Sequence, residues 1–134
     1  MQIRTRPVDR AKSAVYFRKA KEFFNGMQKA QAEAMLNLAC LNAIHCTISC
    51  ADALGAHFLG ERSAGQSHDD AAVLVLQTKL PGISQKARQI RDILNFKTLV
   101  EYSDDEPTEA EAARLILQTA RVFEWAKQLL SEKG

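Results

Sequence analysis

The chain has 134 residues, enough for one domain with a hydrophobic core of its own. Hydrophobic residues make up 46% of it and charged residues 25%, proportions typical of a globular protein. The formal net charge of +2 is too small to indicate nucleic-acid binding by bulk electrostatics, so any anion site must be local.

The sequence shows no targeting or membrane-spanning pattern. The apolar run at residues 36–41 is interrupted by Asn37, and no segment approaches the roughly 20 apolar residues that a membrane span needs. Residues 1–10 are basic but no apolar segment follows them, unlike in a secretory signal. We therefore expect a single cytoplasmic domain over residues 1–134, with reduced thiols and no membrane association.

The first half of the chain predicts two helices. Asp9 is placed to cap the first, and Asn25-Gly26 is a typical helix end. Residues 29–59 then contain no proline and no glycine before Gly55. A straight helix of that length measures about 45 Å, which is long for a domain of this size. We therefore expect either an elongated bundle or a second helix that bends or breaks, with Gly55 as the favoured place.

Two capping-box patterns predict helix starts in the second half. Ser67-x-x-Asp70 precedes an apolar run, and Thr108-x-x-Glu111 precedes an apolar stripe. Between them, Pro81-Gly82 ends one helix, Ser84 starts another, and an acidic loop occupies residues 103–107. The resulting prediction is an all-α, up-and-down bundle of about five helices.

The three cysteines all fall on the second predicted helix. Three thiols on one helix are a poor framework for disulfides. Cys46 and Cys50 are four residues apart beside His45, which is the spacing of half a metal site, but no second ligand pair occurs in the chain. Buried helix residues are therefore the favoured interpretation, with Cys40 included.

Polar residues also recur on this helix. His57 is interpreted as a surface histidine at the helix end, where the dipole favours a cation. His45 is interpreted as a core or interface residue. It belongs to a polar stripe, at spacings of three, four and three, that is either solvated or buried in a hydrogen-bonded network or dimer contact. The members of this stripe are Asn42, His45, Ser49 and Asp52.

The segment from Arg62 to His68 is the strongest candidate for chemistry. Arg62 supplies a permanent cation suited to bidentate contacts with phosphate. If Ser67 caps the third helix, His68 is its first residue and lies beside free backbone N–H groups that attract anions. An imidazole there suits general acid or base catalysis. The alternative is that Arg62 solvates a helix terminus and His68 is simply exposed.

The order of these features resembles the HEPN superfamily over roughly residues 10–130. The resemblance rests on a long helix followed by an Arg-x5-His motif, a Leu-x2-Lys-x4-Tyr stretch and a capped last helix. The residues that carry it are Asn42, His45, Asp52, Arg62, His68, Leu94, Lys97 and Tyr102.

The resemblance implies a homodimer in which two Arg/His motifs meet and bind RNA or nucleotide. Many members are metal-independent endoribonucleases, including toxins of toxin–antitoxin and defence systems. Arg62 would then bind the scissile phosphate and His68 would act as general acid or base while a 2′-hydroxyl attacks phosphorus. No metal or other cofactor is implied, and a nucleotidyltransferase-like antitoxin is an expected partner.

Further residues are assigned through the same resemblance. Asp52 is a partner for Arg62 or His68, and Tyr102 either hydrogen-bonds near the site or packs. Ser67 and Ser63 are expected substrate contacts. Ser63 departs from the Asn, Asp or His that active members often carry at this position. The alternative function is therefore a non-catalytic helical module that binds a partner protein or a nucleotide.

Overall fold

Six α-helices and a two-stranded ribbon form the part of the chain that this computed structural model describes, residues 4–64 and 70–132. The prediction of an all-α bundle is confirmed, whereas the ribbon was not predicted. The elements in chain order are β1 (Thr5–Pro7), a 3-10 turn (Arg10–Lys12), α1 (Ser13–Ala32), α2 (Leu36–Leu59), β2 (Glu61–Ser63), α3 (Asp70–Leu76), α4 (Ile83–Leu94), α5 (Lys97–Tyr102) and α6 (Glu109–Glu132).

The first helix ends later than predicted. Asn25-Gly26 does not end the first helix, because α1 continues to Ala32 and buries Met27 and Ala30 against its neighbours. The chain reverses at Ala34, whose positive φ of 59° lets the Met35 N–H donate to the Ala30 carbonyl over 2.8 Å. Tertiary packing of the apolar stripe therefore outweighs the local helix-ending signal.

Helix α2 forms the centre of the bundle and packs against α1, α6, α3 and α4. The predicted break at Gly55 is wrong, since α2 is continuous to Leu59 and ends at Gly60 with φ +68°. By length and composition α2 is apolar enough to span a membrane, contrary to our expectation from the sequence. However, 67% of its most apolar window is buried inside the protein, and core position accounts for that composition.

The ribbon joins the N-terminus to the segment after α2. Strands β1 and β2 are antiparallel, with Arg6 directly opposite Arg62. Backbone bonds extend the pairing on both sides, from the Val8 N–H to the Gly60 carbonyl and from the Ala64 N–H to the Arg4 carbonyl, each 2.9 Å. Arg62 therefore lies on a paired strand, where we expected a short turn between two helices.

The later helices differ from prediction in detail. The predicted start of the third helix, Ser67, lies outside the described residues, and α3 is seen from Asp70. Helix α4 begins at Ile83, one residue before the predicted Ser84, because Gly82 adopts φ +75° as its N-cap. A separate short helix, α5, follows it. We had not predicted α5, since no capping residue precedes it.

The predicted capping box of the last helix is confirmed, whereas the Asp9 cap lies before a 3-10 turn and not at the start of α1 itself. The Glu111 N–H donates to the Thr108 hydroxyl over 3.0 Å, and the Thr108 N–H donates to the Glu111 carboxylate over 2.9 Å, which completes a capping box at α6. The Asp9 carboxylate accepts from the Ala11 N–H over 2.9 Å. It caps the 3-10 turn that leads into α1.

Candidate anion-binding site

Arg62 is held between α1 and α2 by two side chains. Its Nη1 donates to the Tyr16 hydroxyl over 3.2 Å, and its Nη2 lies 3.5 Å from Oδ2 of Asp52. The guanidinium carbon is 5.1 Å from the centroid of the Tyr16 ring, within the range of a cation–π contact. Its Nε is buried and has no hydrogen-bond partner among the described residues. The guanidinium is thus oriented but keeps unused donor capacity.

The fold brings these three residues together from distant parts of the sequence. Tyr16 lies on the first turns of α1, Asp52 on the second half of α2 and Arg62 on β2. The start of α1 is fixed against α2 by the buried Ser13 hydroxyl, which donates to the Ala53 carbonyl over 2.9 Å. Pairing of β2 with β1 then determines where Arg62 projects.

Burial governs the charge of Asp52. The residue is buried, with 8% of its surface exposed, and this desolvation raises the pKa of the carboxyl to about 6. The positive charges of Arg62, Arg6 and Lys19 oppose the rise but do not overcome it. A separation of 3.5 Å from Arg62 is a loose ion pair, so desolvation is the larger effect. Near neutral pH, Asp52 is mostly ionised and gains a proton under mildly acidic conditions.

A cleft of about 610 Å³ opens beside this group of residues, and we name it the Arg62 cleft. It contains two cations and two carboxyl groups, so its formal charge is balanced. Its size fits a nucleotide or a few residues of an oligonucleotide. Arg62 and Lys19 can both contact a phosphate there. The lining residues are Tyr16, Lys19, Glu22, Phe23, Ser49, Asp52 and Arg62.

The polar stripe of α2 continues away from this cleft. Ser49 and Asp52 are buried and line the cleft. His45 stacks on Phe23 at 5.4 Å, and its Nε2 lies 3.6 Å from the Glu101 carboxylate on α5. The stripe is therefore a partly buried row of polar residues between helices. Of the two alternatives given for it, a buried network describes it better than a solvated face.

The other predicted site residues are not all brought together. Ser67 and His68 lie outside the described residues. Ser63 pairs with Thr5 on the ribbon, and because strand side chains alternate we expect it on the face opposite Arg62. Tyr102 is 73% exposed on α5 and is not among the residues that line the Arg62 cleft. Tyr102 therefore shows neither of its two expected roles in the described part of the chain, since it is not buried by packing and does not contact Arg62.

Sequence reasoning missed the contribution of α1. No residue of α1 is among the site residues predicted from the sequence, yet Tyr16 and Lys19 both line the Arg62 cleft. A phenol within an otherwise apolar stripe was the available signal, because a tyrosine hydroxyl needs a polar partner when it is partly buried. Arg6 left no such signal, since only the strand pairing places it opposite Arg62.

The cysteines are confirmed as buried helix residues. All three are free thiols within the fold. Burial, with a smaller contribution from Glu111, raises the pKa of Cys40 to about 11. A hydrogen bond with Cys46, together with burial, raises the pKa of Cys50 well above its ordinary value. Such thiols are poor nucleophiles and ligands. Across residues 4–64 and 70–132, no three His, Cys, Asp or Glu side chains are grouped so as to hold a metal ion.

Comparison with known proteins agrees with this architecture. Residues 13–129 match the family described as the HEPN domain. That range runs from the first residue of α1 nearly to the end of α6 and includes Tyr16, Asp52 and Arg62. No curated protein matches the sequence.

Proposed function

This chain belongs to the HEPN domain family, and on that premise we propose that it is a homodimeric RNA-binding protein whose Arg62 cleft contacts the phosphate backbone. The observation that carries the proposal is the state of Arg62. Tyr16 and Asp52 orient its guanidinium beside a cleft of about 610 Å³, and the side chain keeps 29% of its surface exposed. The terminal N–H groups of an oriented, partly exposed guanidinium can donate to phosphate oxygens in pairs.

The reaction that suits this site is cleavage of the bound strand without a metal ion. The 2′-oxygen forms a bond to phosphorus, the bond from phosphorus to the 5′-oxygen breaks, and a 2′,3′-cyclic phosphate remains. Arg62 stabilises the charge that develops on the phosphoryl oxygens. His68, assigned through the family motif, takes the proton of the 2′-hydroxyl or supplies one to the leaving 5′-oxygen.

A second candidate is a non-catalytic module that binds a partner protein, such as a nucleotidyltransferase-like antitoxin. The balanced charge of the cleft favours it, because Glu22 and Asp52 repel a polyanion as Lys19 and Arg62 attract it. Ser63 favours it as well, since a hydroxyl orients a scissile phosphate less firmly than the amide, carboxylate or imidazole that active members often carry.

The two functions are separated by assaying binding and cleavage together. Purified protein is incubated with labelled single-stranded RNA as wild type, Arg62→Gln, His68→Ala and Arg88→Gln. Arg88 is an exposed cation on α4 outside the Arg62 cleft and serves as the control. We expect Arg62→Gln to weaken binding, His68→Ala to abolish cleavage alone, and Arg88→Gln to change neither.

Each other outcome has a defined meaning. Binding without cleavage by the wild type favours the non-catalytic module. Equal cleavage by wild type and His68→Ala rejects His68 as the acid or base. Equal RNA binding by wild type and Arg62→Gln overturns the proposal as a whole. Sedimentation of the wild type tests the homodimer, and a monomer at assay concentration rejects that part.

A further inference from the structure

A second cleft lies on the other side of α1 from the Arg62 cleft. Its volume is about 630 Å³, and it is bounded by the 3-10 turn, α1, the end of α2 and the end of α6. Residues 14, 17, 18 and 21 of α1 face it, whereas residues 16, 19, 22 and 23 face the Arg62 cleft. At 100° per residue these two sets point in nearly opposite directions. The two clefts share no lining residue.

The charge of this second cleft has one sign. The described residues that line it include four cations, two arginines and two lysines, and no carboxylate, and we name it the basic cleft. Arg18, Lys21 and Lys127 form no ion pair within the described part of the chain. The whole chain has a net charge of only +2, so this is a local concentration of charge. The titratable members are Arg10, Arg18, Lys21, His57 and Lys127.

Two of the lining groups are already held in place. Arg10 Nη1 donates to the His57 carbonyl over 2.7 Å, at the negatively polarised end of α2. Phe17 stacks on Phe123 with ring centroids 5.3 Å apart, and Lys21 Nζ lies 6.0 Å from the Phe17 centroid. The cleft thus combines a positioned guanidinium, an aromatic ring and three cations that have no ion-pair partner among the described residues.

We propose that the basic cleft binds the phosphate groups of ribonucleotides. Like charges held together repel one another, and a bound polyanion relieves that repulsion. Guanidinium and ammonium groups are the usual protein ligands of phosphate. A positive groove beside an aromatic ring is the arrangement that binds single-stranded nucleic acid, with the ring contacting a base or ribose. The phosphates belong either to an RNA chain or to a free nucleoside triphosphate.

The experiment removes two cations from the cleft and compares this with the same loss elsewhere. The test variant is Arg18→Gln with Lys21→Gln, and the control is Arg88→Gln with Lys29→Gln, all at exposed positions. Binding of a labelled single-stranded RNA and of a fluorescent nucleoside triphosphate is measured by anisotropy over a range of salt. We expect the test variant to bind at least about tenfold more weakly and the control to match the wild type. For RNA, the slope of log affinity against log salt is negative, and its magnitude should fall by about 1.4 in the test variant.

The two probes identify the source of the phosphate. A loss confined to RNA assigns the basic cleft to an RNA chain, and a loss confined to the triphosphate assigns it to a free nucleotide. Equal weakening by test and control variants overturns the proposal, as does unchanged binding by the test variant or absence of binding by the wild type. Arg62→Gln is assayed in parallel, so that the two proposals can fail separately. Weaker binding by Arg62→Gln supports the Arg62 cleft and says nothing about the basic cleft.

Discussion

The backbone of Gly55 in α2 approaches the Glu61 carbonyl of β2 so closely that a β-carbon at position 55 would lie 2.6 Å from that oxygen. The same β-carbon would lie 2.8 Å from a methyl group of Leu74 on α3. Glycine here does not break the helix, which is continuous to Leu59. It lets the strand that carries Arg62 lie against the central helix.

Replacing Gly55 with alanine should therefore destabilise the protein, although alanine is the better helix former. We expect a loss of about 2 kcal/mol or more in the free energy of unfolding, because the added methyl overlaps a backbone oxygen that cannot move freely. Denaturant unfolding measures it. A Gly55→Ala variant as stable as the wild type would contradict the close approach of β2 to α2.

Gly26 provides the matched control. A β-carbon at this position would lie 2.9 Å from Nδ2 of Asn42, the free end of a flexible side chain. Gly26 lies within α1, where alanine is favoured over glycine by about 1 kcal/mol. We expect Gly26→Ala to be neutral or slightly stabilising. Large destabilisation by both variants would indicate a general intolerance of α1 and α2 to added volume.

Asp52 should make stability fall as the pH rises. Its pKa is about 6 in the folded protein against an ordinary value of 3.8. Between these values the folded state binds more protons than the unfolded state, so stability decreases from about pH 4 to about pH 6 and is then level. The difference is about 3 kcal/mol. Asp52→Asn should remove this slope, whereas Asp92→Asn, at an exposed position on α4, should retain it.

Unfolding curves of the wild type and both variants at pH 4.5 and pH 7.5 test this prediction. The change in unfolding free energy between the two pH values is compared from protein to protein, because the other groups titrate equally in all three. Asp52→Asn with the wild-type slope would show that desolvation does not control this carboxyl.

Removing Arg62 should raise the pKa of Asp52 further. Arg62 is the largest of the positive charges that oppose the effect of burial on this carboxyl, so Arg62→Gln leaves desolvation less opposed. Carboxyl carbon NMR across a pH titration measures the pKa directly, with Arg88→Gln as the control. A pKa that stays near 6 or falls in Arg62→Gln would contradict the pairing of Arg62 with Asp52.

The start of α6 depends on Thr108. Its hydroxyl accepts from the Glu111 N–H, and replacement of such a cap by alanine costs about 1 kcal/mol. We expect that loss for Thr108→Ala in thermal or denaturant unfolding. Ser84→Ala should have almost no effect, because α4 already begins at Ile83 with Gly82 as its N-cap. Equal losses would mean that Ser84 does cap α4.

Local signals account for what was predicted correctly. The capping box of Thr108 and Glu111 involves neighbouring residues, and its hydrogen bonds form as soon as one helical turn does. The burial of Cys40, Cys46 and Cys50 follows from the apolar composition of the helix that carries them, because apolar helix residues are the ones most often found in a core. The family resemblance likewise depended on spacing along the chain.

Local signals also misled wherever packing competed with them. Asn25-Gly26 is a sound helix end in isolation, but Met27 and Ala30 gain more by continuing α1 into the core. The sequence predicts a helix break at Gly55, because glycine is a poor helix former. Its actual role is to let the Glu61 carbonyl approach closely, and that contact exists only in the folded chain.

The sequence by itself determined a helical bundle of the HEPN family with Arg62 as its leading candidate residue, because helix periodicity, caps and motif spacing are short-range properties. Only the tertiary structure decided that Arg62 stands on a strand opposite Arg6, between Tyr16 and Asp52, and that four cations gather on the other side of α1. These contacts join residues that are tens of positions apart. Their formation depends on how the helices close on one another, which no local pattern encodes.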